Sequence, residues 1–251
     1  MKKLILISFL VSLNAYSQNL KIPGRNVDVL FVVDNSGSME TIQKNVILNS
    51  KIFFDQFARQ AYLNWKIGII STDKADRPYI GFETSFDWSL FDYRDPHSID
   101  QAVSEFQQSI LNLGVAGSAQ EYVFYNIKRN LENFDGKIGP QFLRPDADLV
   151  VVMITDEIEQ SERDFGVSFN AQNFLDSLKK LINEKQVIRF YGALNREDLK
   201  DCSAPIDIDP YKGSPFESIV NLTNGFTVSA CTNEFGLELA KIGKDIATLN
   251  K

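Results

Sequence analysis

The chain has 251 residues, and its 33 acidic against 26 basic side chains give a formal charge of −7. That balance excludes a nucleic-acid partner, because phosphate binding needs a basic face. The length suffices for one large core, and 12% aromatic residues, including 19 Phe, are available to fill it without any repeat, low-complexity tract or linker dividing the chain.

In chain order, Met1-Lys2-Lys3, an apolar run over 4–13 and the small residues Ala15 and Ser17 read as a secretory signal peptide of bacterial type, cleaved near Ser17. The run is too short to span a bilayer, and no later stretch holds eighteen unbroken apolar residues. The expected organisation is a signal peptide over 1–17 and one domain over 18–251, exported to the periplasm, the cell surface or the medium. Lys2 and Lys3 leave with the peptide, which takes the net charge to about −9.

An apolar strand over 27–33 then runs into Asp34-Asn35-Ser36-Gly37-Ser38, which opens a helix over 41–60 with Ile42, Val46, Phe53 and Phe57 on one face. A carboxylate at the end of a buried strand and two hydroxyls at alternate loop positions bring oxygen donors together for one hard divalent cation, Mg²⁺ first, with Mn²⁺ or Ca²⁺ as substitutes. The motif taken alone also reads as a turn in which Ser38 caps the helix.

A strand over 65–71 follows, and Ile80, Phe82, Phe86 and Trp88 alternate as in a half-exposed edge strand. Ile99, Val103, Phe106, Ile110 and Leu113 mark a helix capped by Ser98. Ser118 and Glu121 form a capping-box pattern ahead of a helix with core positions Val123, Ile127, Leu131 and Phe134. The continuous apolar run 149–155 ends in Asp156-Glu157, as for a central parallel strand buried on both faces. Two carboxylates at the ends of adjacent buried strands repel unless a cation lies between them. A helix over 173–182, a strand over 187–191, a helix over 216–222, a strand over 226–229 and a closing helix with Phe235, Leu239, Ile242 and Ile246 complete the chain. This alternation predicts a doubly wound α/β fold, a mostly parallel sheet with one antiparallel edge strand and helices on both faces.

The Asp34-x-Ser36-x-Ser38 loop and the strand ending in Asp156 resemble the metal-ion-dependent adhesion site of von Willebrand factor A domains, and the resemblance runs from about residue 27 to 250. It implies that Asp34, Ser36 and Ser38 form the first ligand loop and that Asp156 is the last ligand. Members of the family carry a Thr on a loop between these motifs. In the corresponding stretch 113–121 the one hydroxyl is Ser118, which is also a helix cap by its spacing from Glu121. Glu157 and Glu121 are expected at the rim. The family implies a protein partner that supplies an acidic side chain to the metal, and recognition or adhesion instead of catalysis.

Two other functional classes start from the same residues. A strand-terminal Asp with Mg²⁺ suits a phosphohydrolase, but the second Asp such enzymes need two places on is Ser36. The other class is an envelope scaffold that keeps the fold and has lost the metal. Cys202 and Cys231 are an even pair in an exported chain, so a disulfide closing a loop of about 30 residues and worth roughly 3 kcal/mol is expected, with two free thiols as the alternative. The lone His97 reads as a surface residue. The loop holding Glu157, Glu159, Glu162 and Asp164 is acidic, either as a solvated face or as a partner-selecting rim. The segment 207–218 fails as a calcium loop at Pro210 and Ser218, and Asn221-Leu222-Thr223 is a chance acceptor pattern.

Overall fold

The computed structural model describes residues 25–57, 63–73, 84–87, 96–118, 120–132, 142–161, 170–195, 214–232 and 234–249, with backbone alone for 84–87 and 96–98. The strands are β1 (Arg25–Val33), β2 (Leu63–Ser71), β3 (Thr84–Asp87), β4 (Asp148–Thr155), β5 (Ile188–Leu194) and β6 (Thr227–Ser229). They form one sheet in the order β3-β2-β1-β4-β5-β6. Only β3 is antiparallel to its neighbour; the other pairings are parallel. The described helices are α1 (Glu40–Phe57), α2 (Pro96–Leu113), α3 (Val123–Leu131), α4 (Ala171–Lys179), α5 (Pro215–Leu222) and α6 (Phe235–Thr248).

Strand alternation distributes β1 between two cores. Val27, Val29, Phe31 and Val33 pack with α1, α2 and α6, while Leu30 and Val32 pack with α3, α4 and α5. The central strands therefore read as unbroken apolar runs, because both faces are covered. The first core is aromatic: Phe31 meets Phe53 and Phe106 edge-on with ring centroids 5.5 and 4.9 Å apart. Gly243 lets α6 approach α1 closely, since a Cβ there would lie 3.1 Å from the Phe53 carbonyl oxygen.

Local caps set several helix starts. Asn170 accepts from the Asn173 amide at 2.9 Å to begin α4, and Ser214 accepts from Glu217 with Pro215 in the first turn of α5. Two starts differ from the sequence expectation. The helix expected to begin after Ser98 begins at Pro96, where a proline without an amide hydrogen is tolerated. The expected Ser118–Glu121 box does not form, because α3 begins at Val123 and takes its cap from elsewhere in the chain. The sequence positions Ile80, Phe82, Trp88, Phe134, Glu162, Asp164 and Cys202, and the segment 1–17, lie outside the described residues. Cys231 packs on the first core and is not a free thiol.

The order of the strands positions the site. From β1 the chain steps to β2 and β3 on one side, then crosses back to β4 and continues to β5 and β6 on the other. The loops after β1 and β4 thus lead to opposite faces of the sheet, α1 in the first core and α4 in the second. That divergence opens a crevice at their carboxyl ends, the place where such sheets take ligands.

At the opposite edge of the sheet, buried charge is balanced by the protein itself. Asp28 is fully buried and accepts from the Arg144 amide and Nε, each at 2.7 Å. Arg144 also donates to the carbonyl oxygens of Val27 and Asn64, tying β1, β2 and the segment before β4 together. Burial lifts the Asp28 carboxyl to about 6 against the opposing pull of Arg144. Replacing Arg144 by Met strands this carboxylate and is expected to cost about 3 kcal/mol in urea unfolding, with part recovered by adding Asp28→Asn. A loss under about 1 kcal/mol would show that Asp28 does not need its partner.

Candidate metal centre

The register of β1 and β4 brings the two strand-terminal carboxylates side by side. Val33 pairs with Ile154, and the Asp34 amide continues the ladder by donating to the Ile154 carbonyl at 2.9 Å. Asp34 follows the last residue of β1, and Asp156 follows the last residue of β4. The fully buried Asp34 is held on both oxygens: Oδ1 accepts from the Ser36 amide at 2.8 Å and Oδ2 from the Thr155 hydroxyl at 2.7 Å.

Past Asp34 a short 3₁₀ turn over Gly37–Met39, anchored by the buried Met39, presents the serines together. Ser36 Oγ and Ser38 Oγ lie 3.0 Å apart, and Ser38 Oγ donates to Asp156 Oδ1 at 3.1 Å. Asp34, Ser36, Ser38 and Asp156 therefore form one hydrogen-bonded cluster. Gln43 fastens this loop to the next one by donating to the carbonyls of Asp34 and Gly114 at 2.8 and 2.9 Å. Gly117 lies flat on the Asn35 side chain, where a Cβ would come within 2.5 Å, and its amide donates to the Asn35 carbonyl.

Ser118 is placed differently. Its hydroxyl accepts from the Gln120 amide at 3.0 Å, and its own amide donates to Asp73 Oδ1 at 2.8 Å. No hydrogen bond joins it to the Asp34–Ser36–Ser38–Asp156 cluster. The side chain that enters the sheet edge from this loop is Glu121, which is fully buried. Its Oε2 accepts from the Thr72 hydroxyl, and its Oε1 meets no donor. The first amides of α3 are capped across the crevice: Glu159 Oε2 accepts from Val123 and Phe124, and Ser161 Oγ accepts from Tyr125. Glu157 stands beside Asp156, half-buried, with its amide on the Thr155 hydroxyl.

Thr155, Asp73 and Thr72 are site residues that the sequence reading passed over. Thr155 is hidden inside an apolar run, where a β-branched residue reads as strand filler. Asp73 carried a usable signal, since it stands two residues past the end of a third buried strand, where Asp34 and Asp156 directly follow theirs.

The electrostatics of this edge are one-sided. Burial, and then the charge of nearby Asp34, push the Glu121 carboxyl up to about 9. Burial likewise lifts Asp34 to about 6, opposed by its hydrogen bonds from Ser36 and Thr155, and raises Asp156 and Glu157. None of these carboxylates forms an ion pair with a described Lys or Arg. Among the described residues, three buried acceptor oxygens lack donors at the strand ends, Asn35 Oδ1, Glu121 Oε1 and Asn195 Oδ1. Two hydroxyls, two carboxylates and a surplus of acceptors suit a hard cation with oxygen ligands. Among the described residues no three His, Cys, Asp or Glu side chains converge as a ligating group, so a cation here would need the serine hydroxyls as donors.

In the cation-free protein the folded state keeps protons on Glu121 and Asp34 that the unfolded chain releases at its ordinary values of 4.5 and 3.8. Stability contributed by these groups is complete below those values and is lost as pH rises toward about 9. Thermal melts in chelator between pH 5 and 9 are expected to fall with pH, and saturating Mg²⁺ to reduce the fall. A flat profile in chelator would show that the buried carboxyls titrate normally.

A search of curated proteins returns no significant match. Among solved structures, proximal thread matrix protein 1 from the mussel byssus is similar at 16% identity and a TM-score of 0.49, over 89% of this chain and 47% of that one. A form of the same protein with zinc in its adhesion-site motif matches at 15% identity and a TM-score of 0.49, over 89% and 48% of the two chains. The pilus adhesin SpaC from Lactobacillus rhamnosus GG matches at 14% identity and a TM-score of 0.50, over 89% of this chain and 31% of that one. The chain thus spans from about a third to about half of these proteins, and at such identities the likeness is one of fold. The family model for the von Willebrand factor type A domain matches residues 28–203, and the chain belongs to that family.

Proposed function

We propose that this protein is an exported recognition protein that holds a divalent cation, Mg²⁺ first, between the loops after β1 and β4 and engages a partner protein through it. The observation that carries this reading is the cluster of Asp34, Ser36, Ser38 and Asp156, closed by hydroxyl contacts of 3.0 and 3.1 Å at the switch point of the sheet. A cation there would be held by Ser36 and Ser38 with Asp34 and Asp156, either directly or through water. Thr155 keeps Asp34 oriented from behind. The ion supplies a positive charge to which an acidic side chain of the partner binds, as the family resemblance implies. The residues of the chain fix the donors and keep the crevice open on its outer side, where Ser38 is exposed.

Export rests on the charged start, short apolar run and small residues of 1–17. Among the described residues no helix is long and apolar enough to cross a membrane. The role is binding, not catalysis: Ser36 occupies the place where a phosphohydrolase of this type needs its general acid. A disulfide between Cys202 and Cys231 is part of the same reading.

Calorimetric titration of the purified protein with Mg²⁺ and Mn²⁺ tests the proposal beside a Ser36→Ala/Ser38→Ala variant of equal fold. Saturable binding is expected in the parent, with affinity about a hundredfold lower in the variant, since both hydroxyl donors are gone. Silence in the parent at millimolar cation would replace this reading with that of a metal-free envelope scaffold. Cation-dependent phosphate release from a generic ester would move it to an enzyme.

A further inference from the structure

We infer that Glu121 is the third anionic group of the cation site, contributed by the middle loop in which members of the family carry a neutral Thr. The inference rests on the cation reading above and says which residue of the middle loop serves it.

Glu121 leaves its loop two residues before α3, and its side chain has no exposed surface. Its backbone is locked on one side, with the Glu121 carbonyl accepting from Gln160, and the next amide, of Tyr122, donates to the Thr72 carbonyl at 2.9 Å. The carboxyl is fixed through Oε2 by the Thr72 hydroxyl, which leaves Oε1 buried without a donor. Among the described residues the charges that raise its carboxyl are those of Asp34, Asp73 and Glu157, all acidic. A buried carboxylate without a protein cation beside it is strongly disfavoured, and a polar atom buried without a partner is equally rare. A divalent ion beside Asp34 would offset both penalties, because Glu121 is held on Thr72, just past the carboxyl end of β2, at the same buried edge.

Ser118, the one hydroxyl of the loop, is turned to the Gln120 amide and has no share in the cluster. Three carboxylates do not converge for direct ligation among the described residues, so Glu121 would act on a cation from outside its direct ligands, through a water of its shell. Mg²⁺ keeps such waters readily. The third negative group makes retention of the ion depend on charge more than a shell with two carboxylates would.

The test extends the titration to Glu121→Gln, which keeps the size and the acceptor for Thr72, and to Glu121→Thr, which puts a neutral hydroxyl in its place. Both variants are expected to melt at or above the parent temperature in chelator and to bind Mg²⁺ at least tenfold more weakly. If Glu121→Gln fails to fold, the Thr variant decides. Parent-like affinity in a folded Glu121 variant, with binding still lost in Ser36→Ala/Ser38→Ala, overturns this inference and leaves the cation site standing. Silence in the parent overturns the cation site, and this inference with it.

Discussion

The parallel pairing of β1 with β4 is the constraint on which the rest of the structure depends. Seven consecutive residues of each strand are in register, from Val27 with Asp148 to Val33 with Ile154. Because alternate residues of both strands fill two different cores, a one-residue slip would move every side chain into the wrong core, and the register carries Asp34 and Asp156 to the same edge. Two acidic groups forced together there have to be accommodated. The chain does so with neutral donors, the Thr155 and Ser38 hydroxyls and the Ser36 amide, which orient the carboxylates without neutralising them.

The two edges of the same sheet treat buried charge in opposite ways. At the amino end, Asp28 faces Arg144 and Asp148 faces Arg25, so each carboxylate has a guanidinium within the protein. Those pairs tie β1 to the start of β4 and to the segment before it. At the carboxyl end Asp34, Asp73, Glu121 and Asp156 gather with hydroxyls and amides alone as partners. The fold can bury a balanced charge, and the contrast leaves the carboxyl edge with buried acidic groups that no described Lys or Arg balances. Helix ends contribute little to that balance. The α3 amides are already taken by Glu159, itself raised to about 7 by burial, and α1 begins with Glu40.

Much of the architecture was legible in the order of the residues. Continuous apolar runs bounded by Asp announce central parallel strands, and the period of Phe235, Leu239, Ile242 and Ile246 announces a helix whose face is indeed buried. The middle loop was less so. Ser118 and Glu121 have capping-box spacing, and that local pattern lost to a tertiary one: Asp73 takes the Ser118 amide, Thr72 takes Glu121, and Glu159 supplies the cap from the loop after β4. Each of these partners is more than thirty residues away along the chain, beyond the reach of any local signature. In the acidic loop after β4, Glu159 is a structural clasp on α3 while Glu157 stands half-buried beside Asp156, a division that composition cannot express.

The sequence by itself determined the sheet, the helices that cover it and the chemistry of the Asp34-Asn35-Ser36-Gly37-Ser38 loop, because hydrophobic period and short-range hydrogen bonding are properties of neighbouring residues. Only the tertiary structure decided which distant groups share the crevice. The strand order, not the sequence order, set Asp156 beside Ser38 and drew Glu121 into the buried edge while leaving Ser118 outside the cluster. The physical reason is that burial and charge are collective: a carboxylate is costly or useful according to what the packed chain places around it, and that environment exists only after folding.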